Sequence, residues 1–102
     1  MSDVRIKLLN EKHWRTRPPF DAQKQLAHAR ALAPNDYLIL PRMYSAKEGL
    51  KAAEEMFDLT NNPSREIERL ARYGNGRSVS SGDVVCVDGI DYLCLSIGWA
   101  HL

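Results

Sequence analysis

The chain has 102 residues, of which 44% are apolar and 26% are charged. This balance is typical of one globular domain and excludes a disordered chain. No window approaches the roughly 18 consecutive apolar residues of a membrane span, and the first ten residues lack the apolar core of a signal peptide. We therefore expect a single cytoplasmic domain over residues 1–102, with both cysteines as thiols and no membrane partner. A chain of this length leaves much of its surface wet, so a homodimer stays open.

Charge is distributed unevenly along the chain. The net charge is only +1, but residues 1–44 hold eight Lys or Arg against four Asp or Glu, whereas residues 45–102 hold six against nine. This asymmetry predicts a basic face if the two halves stay apart in the fold. It predicts no such face if they interleave.

Near the start of the chain, apolar and cationic residues alternate with the period of two that is typical of a half-buried strand. The apolar positions are Val4, Ile6 and Leu8. Residues 11–20 are the most cationic stretch and contain a Pro-Pro pair, which fits neither a helix interior nor a central strand. This stretch is therefore predicted to be a surface loop.

Two helices are predicted after this loop. The first begins at the N-cap Asp21 and ends before Pro34. The second begins at Ser45, because Ser45 and Glu48 have the spacing of a capping box, and it would contain Gly49 in its first turn. The apolar stripes of these helices are Ala22, Leu26, Ala29 and Ala33 on the first, and Leu50, Ala53 and Phe57 on the second.

An edge strand and a third helix complete this part of the chain. Residues 36–44 are rich in Tyr, Leu and Ile but carry Pro41, which favours an edge strand or an extended segment. Asn62 is suited to cap a helix with Pro63 at its first position, ended by Gly74 or Gly76. Its apolar residues, expected to face inward, are Ile67, Leu70 and Ala71. Its charged residues, expected on a solvated outer face, are Arg65, Glu66, Glu68, Arg69 and Arg72.

Residues 76–99, GRSVSSGDVVCVDGIDYLCLSIGW, are predicted to contain a β-hairpin. Asp88 and Gly89 between apolar runs indicate a two-residue type I′ turn, which needs positive φ at both positions. In that register Cys86 and Cys94 lie on different faces of the sheet, which excludes a disulfide between them. Both faces are apolar, so the hairpin is expected inside the sheet or a small barrel, with helices on one face and the loop or another strand on the other. The predicted cross-strand pairs are Val87 with Ile90, Cys86 with Asp91, Val85 with Tyr92 and Val84 with Leu93.

The segment GRSVSSGDVV, followed by YLC and GW, resembles a motif of small proteins carried by bacterial phages, plasmids and integrated elements, related to YodL-like domains with an RS-S-GDV core. The resemblance covers about the last quarter of the chain, residues 76–99, with FDLTNNPSR before it as part of the same pattern. It implies an accessory protein of a mobile element. It implies no established reaction and no catalytic residues.

Neither catalysis nor a metal or cofactor site is predicted. Cys86 lies between two valines, which is typical of a small core residue, and the chain has no Cys-x-x-Cys or His-x-x-x-His spacing. The glycines of YGNGRS follow a helix rather than precede one, the reverse of a P-loop. No triad partner is visible for Ser78 or Ser80. Arg77 either pairs with a carboxylate such as Asp83, which we favour, or is presented to a partner.

The basic loop allows three interpretations. Its mixture of Lys and Arg with Trp14 and Phe20 suits phosphate contacts and stacking on bases, and equally suits a protein interface hot spot. Alternatively, Trp14 and Phe20 pack into the core while the cations stay solvated. The residues proposed for partner binding, from this loop and elsewhere, are Lys12, Trp14, Arg15, Arg17, Arg42, Arg77 and Trp99.

These patterns together predict an α+β fold, with a small antiparallel sheet that includes a C-terminal β-hairpin and is packed by about three helices. The leading functional hypothesis is a non-enzymatic accessory protein of a mobile element that binds a host or element protein, with a host defence system as one candidate target. The alternative is a small nucleic-acid-binding module that uses the basic loop at residues 12–17, with strongly salt-dependent affinity.

Overall fold

The computed structural model describes residues 1–16, 18 and 21–102, and over them it has the expected α+β architecture. Arg17 and Phe20 of the basic loop lie outside the described residues. Six antiparallel strands form one sheet in the order β2-β1-β4-β5-β6, and β3 also pairs with β1. The strands are β1 (Ser2–Leu9), β2 (Tyr37–Ile39), β3 (Met43–Ser45), β4 (Val84–Val87), β5 (Ile90–Cys94) and β6 (Trp99–His101). The helices are α1 (Ala22–Arg30), α2 (Leu50–Asn61) and α3 (Glu66–Arg72).

Strand β1 holds the sheet together because it has partners on both sides. One side pairs with β4, and the other is shared by β3 at its start and β2 at its end. Its alternating apolar residues are fully or almost fully buried, as predicted. The extended segment after α1 is at the edge as predicted, but it forms two short strands on either side of Pro41, and their registers with β1 differ by one residue.

The C-terminal hairpin is confirmed in both turn and register. Asp88 and Gly89 have φ of 48° and 85°, as a type I′ turn requires, and the four cross-strand pairs are those predicted. No disulfide joins Cys86 and Cys94. The hairpin lies inside the sheet, because β4 pairs with β1 and β5 pairs with β6.

The two faces of the sheet are covered by different helices, so the expectation of a loop or strand over the second face is wrong. On one face, α2 packs its buried residues onto the apolar side chains of β1, β4 and β5. On the other face, α1 contributes Ala29 to a much smaller buried cluster with Val84 and Leu93. Helix α1 begins as predicted, since Asp21 accepts a hydrogen bond from the Lys24 amide at 3.0 Å, but it ends at Arg30, before the predicted end.

The predicted start of the second helix is wrong. Ser45 lies in β3, where it pairs with Ser2, and its hydroxyl accepts from the amide of Lys47 rather than from that of Glu48. The helix begins at Leu50, after Gly49, whose φ of +56° is the left-handed conformation that favours glycine. Of the apolar stripe identified in the sequence, only Ala53 is buried, whereas Leu50 and Phe57 are exposed. The buried residues of α2 are Ala52, Ala53, Met56, Leu59 and Thr60.

The predicted orientation of the third helix is also wrong. Asn62 caps the preceding 3₁₀ turn and Gly74 follows the helix with φ of +91°, as expected, but α3 has no buried residue. Ile67 is 87% exposed, and Leu70 and Ala71 are exposed as well. The half-buried side is the charged one, made of Arg65, Arg69 and Arg72, because these arginines find carboxylate and carbonyl partners there.

Candidate functional site

The central residue of the motif, Arg77, forms the buried ion pair favoured from the sequence. Its two terminal nitrogens donate to the two carboxylate oxygens of Asp83 at 2.6 and 2.8 Å, and one also donates to the Leu9 carbonyl at 3.0 Å. Asp83 is buried and also accepts from the amides of Leu9 (2.7 Å) and Ser80 (2.8 Å). Hydrogen bonds to Asp83 raise the pKa of Arg77 despite its partial burial. The pair therefore ties the end of β1 to the start of β4.

Ser78 and Val79, which follow Arg77 in the motif, also have structural roles. Ser78 donates to the Thr60 carbonyl, and the Val79 amide donates to the Thr60 hydroxyl at 3.1 Å. Val79 is fully buried in the core below α2. Residues 77–83 thus anchor the C-terminal end of α2 to the sheet, and the side chains of Arg77, Ser78 and Asp83 bond inside the molecule.

The basic loop meets this ion pair through Trp14. The guanidinium carbon of Arg77 lies 5.0 Å from the centre of the Trp14 ring, a cation–π contact, and Trp14 remains 38% exposed. Lys12 approaches Asp36 to 3.8 Å, and Arg15 is exposed. Trp14 therefore covers the ion pair rather than packing deep into the core.

The structure does not bring the proposed partner-binding residues together. Arg77 and Trp14 lie near Leu9 at the end of β1, whereas Arg42 is ion-paired with Asp3 at its start, at 3.1 Å. At about 3.3 Å per residue, these two ends of β1 are roughly 20 Å apart. Trp99 lies on β6, three strands away across the sheet. No single surface unites the described members of the set.

Trp99 belongs instead to an open edge of the sheet. β6 is the last strand in the order, and no described residue forms a strand beyond it. The Leu102 amide donates to the Asp91 carbonyl, and the Leu95 amide donates to the Gly98 carbonyl. Because bonded pairs alternate along an antiparallel ladder, Ala100, which lies midway between these two pairs, also directs its backbone groups toward β5. By the alternation of an antiparallel ladder, the backbone groups of Trp99 and His101 point away from the sheet.

An apolar flank of α2 runs beside this edge. The Phe57 ring makes an edge-to-face contact with Trp99, with ring centres 6.4 Å apart, yet Phe57 is 39% exposed. Leu50, two helical turns earlier on the same flank, is 43% exposed. On the strand, His101 contacts Tyr92 with ring centres 4.9 Å apart. We call Leu50, Phe57 and Trp99, with the outward backbone of Trp99 and His101, the β6 edge surface.

The β6 edge surface was only partly visible in the sequence. The sequence predicts Trp99 as a partner-binding residue but does not predict strand β6. It places Leu50 and Phe57 on the apolar stripe of the second helix rather than on a binding surface. The alternation of Trp99, Ala100 and His101 after Gly98, which has φ of +81°, is the signal that indicates a short strand after a turn.

Sequence reasoning also missed a network of charges between α2 and α3. Arg65 donates to Glu55 at 2.8 Å, Arg72 donates to it at 3.2 Å, and Ser45 donates to its other oxygen at 2.9 Å. Burial raises the pKa of Glu55, but these three hydrogen bonds outweigh burial and bring the pKa down to about 2. Glu68 receives hydrogen bonds from Arg65 and Arg72, which lower its pKa as well. This network docks α3 on α2 without an apolar interface.

Two observations concern the residues that were considered for chemical roles. Burial raises the pKa of the Cys86 thiol, the direction that disfavours a thiolate nucleophile. Among residues 1–16, 18 and 21–102, no group of three or more His, Cys, Asp or Glu side chains could hold a metal ion.

The helices of the chain and its similarity to other proteins were also assessed. No helix in the described part of the chain is long and apolar enough to cross a membrane. Comparison of the chain with protein-family models, with curated proteins and with solved structures finds no match.

Proposed function

We propose that this protein is a non-enzymatic accessory protein of a mobile genetic element, which binds a host or element protein by accepting an extended segment of it at the β6 edge surface. The bound segment adds a strand to the sheet, and its alternate side chains lie on the apolar flank of α2. The resemblance of residues 76–99 supports the assignment to a mobile element, and a host defence protein is one candidate partner.

The observation that carries this proposal is the open edge of β6 beside exposed apolar side chains. Outward-pointing backbone groups on an edge strand are a template for main-chain hydrogen bonds with another chain. Trp and Phe beside that edge supply apolar contact area of the kind enriched at binding hot spots. Because Leu50, Phe57 and Trp99 are uncharged, the segment that fits this surface is extended and apolar at alternate positions.

The charge pattern supports a protein partner over nucleic acid. Of the described cations proposed for partner binding, Arg77 is paired with Asp83, Arg42 is paired with Asp3 and Lys12 lies near Asp36, whereas Arg15 is exposed. A cation already paired with a carboxylate contributes little to phosphate binding, which depends on net neutralisation of phosphates and release of counterions.

The test is selection of peptides from a display library of random extended segments on the immobilised full chain. A His101→Pro variant removes one outward amide without removing a bond to β5, as proline is tolerated on an edge strand where its N–H would face solvent. Ile39→Pro is the matched control, because the adjacent Leu40 amide bonds to Ile6 and the Ile39 amide therefore points away from β1 on the opposite edge.

We expect wild type and Ile39→Pro to select peptides with alternating apolar residues, and His101→Pro to bind them at least about tenfold more weakly. Equal binding by His101→Pro would contradict strand addition at β6. A parallel measurement with a random DNA or RNA duplex decides the alternative: salt-dependent binding lost in Arg15→Ala, with no peptide selected, would support nucleic acid as the partner.

A further inference from the structure

The turn between α3 and the segment that carries Arg77 contains an asparagine followed by a glycine, Asn75-Gly76. Both residues are exposed, and the backbone bends at Asn75 directly after Gly74, whose φ is +91°. Neither the Asn75 side chain nor the Gly76 amide forms a hydrogen bond with any described residue. The side-chain amide and the backbone nitrogen that follows it are therefore not held by polar contacts.

An unbonded amide that follows an asparagine can attack the side chain of that asparagine. The Gly76 nitrogen loses its proton and forms a bond to Asn75 Cγ, the bond from Cγ to the side-chain nitrogen breaks, and ammonia leaves. The product is a succinimide ring, which water opens at either carbonyl to give an aspartyl or an isoaspartyl residue. Glycine in the following position favours the attack, because it has no Cβ beside the nitrogen and reaches backbone conformations that other residues rarely adopt.

The four other asparagines of the chain lack this combination. The amides that follow Asn35 and Asn61 donate to backbone carbonyls at 2.9 and 2.8 Å, and an amide proton held by a carbonyl is lost less readily. Asn62 precedes a proline, which has no amide proton to lose. Asn10 donates from its side chain to the Asn35 carbonyl at 3.0 Å and precedes a glutamate rather than a glycine.

We propose that Asn75 is a site of spontaneous deamidation in the folded protein. The modification replaces a neutral amide by a carboxylate and so removes the single net positive charge of the chain. The isoaspartyl product also adds a carbon to the backbone between α3 and Arg77. Because Arg69 donates to the Gly76 carbonyl and Tyr73 donates to the Arg77 carbonyl, the turn itself has to accommodate this extra carbon.

The test is incubation of the full chain in mildly alkaline buffer, followed by tryptic digestion and mass spectrometry. Trypsin cleaves after Arg72 and Arg77, so residues 73–77 are released as a peptide that contains no other asparagine. A parallel incubation in urea gives the rate for each asparagine when the fold is lost, and an unincubated sample gives the background from digestion.

We expect the 73–77 peptide of the folded chain to gain the mass of a deamidation product at a rate within several-fold of the rate in urea. An isoaspartyl methyltransferase should label this peptide. The peptides with the four other asparagines should react at least about tenfold more slowly in the folded chain. Absence of the mass gain in the folded chain, or faster reaction at another asparagine, would overturn the proposal. A mass gain without isoaspartyl label would indicate direct hydrolysis and would contradict attack by Gly76.

Three variants test the asparagine and the glycine separately. Asn75→Gln should abolish the mass gain in residues 73–77, because its longer side chain closes a less favourable ring, whereas the matched control Asn35→Gln should leave it unchanged. Gly76→Ala keeps Asn75 but adds a Cβ 3.2 Å from the Tyr73 hydroxyl oxygen, and should slow the reaction at least about tenfold. Thermal melts establish that each variant is folded. An unchanged rate in Gly76→Ala would refute the mechanism.

Discussion

The sheet carries one helix on each face, and the two helices are held very differently. Helix α2 buries five residues, including Met56 and Leu59, against the strands. Helix α1 buries only Ala29 and leaves a cleft of about 150 Å³ beside it. Both segments have strong helix formers, so propensity does not explain the contrast. Side-chain length does: the long residues of α2 fill the space above the strands, whereas an alanine-rich helix cannot.

Replacement of Asp83, which lies in the segment that contacts both faces of the sheet, is expected to have the largest effect on stability. Asp83→Ala removes the carboxylate that pairs with the Arg77 guanidinium and accepts from two amides, in a segment that contributes Val79 to the α2 side and Gly82 to the α1 side. We expect a loss of about 3–5 kcal/mol in the free energy of unfolding, measured by urea denaturation. A loss below about 1 kcal/mol would show that the ion pair does not join the two layers.

A pair of matched truncations tests the contrast between the helices directly. Leu59→Ala on α2 empties a fully buried site and should cost about 3 kcal/mol, whereas Leu26→Ala on α1 removes a half-buried side chain and should cost about 1 kcal/mol. Both values come from the same urea titrations. Equal losses would mean that the α1 side is packed as tightly as the α2 side.

Acid should weaken the α2 side through Glu55. Its folded pKa of about 2 lies below the ordinary value of 4.5, so the folded state binds fewer protons. The resulting stabilisation is complete above about pH 4.5 and is lost as the pH falls through about 2. In Glu55→Gln we expect roughly 2 kcal/mol less stability at neutral pH and a flatter dependence of stability on pH within this window. The measurement is the melting temperature of wild type and variant as a function of pH. Parallel curves for the two proteins would contradict this assignment.

The smallest effect should have the opposite sign. Tyr37→Phe removes the unpartnered buried hydroxyl on the α1 side and should raise the free energy of unfolding by up to about 1 kcal/mol. The control is Tyr73→Phe, because the Tyr73 hydroxyl donates to the Arg77 carbonyl and its loss should cost about 1 kcal/mol. Thermal melts of the two variants against wild type measure both changes. Destabilisation by Tyr37→Phe would mean that its hydroxyl has a partner.

Several features of the fold could be predicted because they depend on neighbours in the chain. The Asp88-Gly89 turn sets its own backbone conformation and thereby the register of both strands. The Asp21 cap bonds to an amide three residues away. Period-two alternation in β1 identifies its buried face wherever that strand lies in the sheet.

The failures lie where a distant partner competes with a local signal. Ser45 has the spacing of a helix cap, but pairing with Ser2 keeps it in a strand, and its hydroxyl reaches Glu55. Helix α3 offers an apolar stripe and a charged stripe, and Glu55 on another helix attracts the charged one. Of the candidate site, the sequence predicts Trp99 as a binding residue. Its place on an edge strand and its contact with Phe57 depend on how β5, β6 and α2 meet in the folded protein.

The sequence by itself determined the α+β class, the strand β1, the hairpin and the Arg77–Asp83 pair, because turn conformation, alternation and opposite charges at short separation act locally. Only the tertiary structure decided which helix flank stays exposed, which strand lies at the edge and where the cleft lies. Those properties depend on how much space residues far apart in the chain leave between them, and side-chain volume is balanced only when the layers meet.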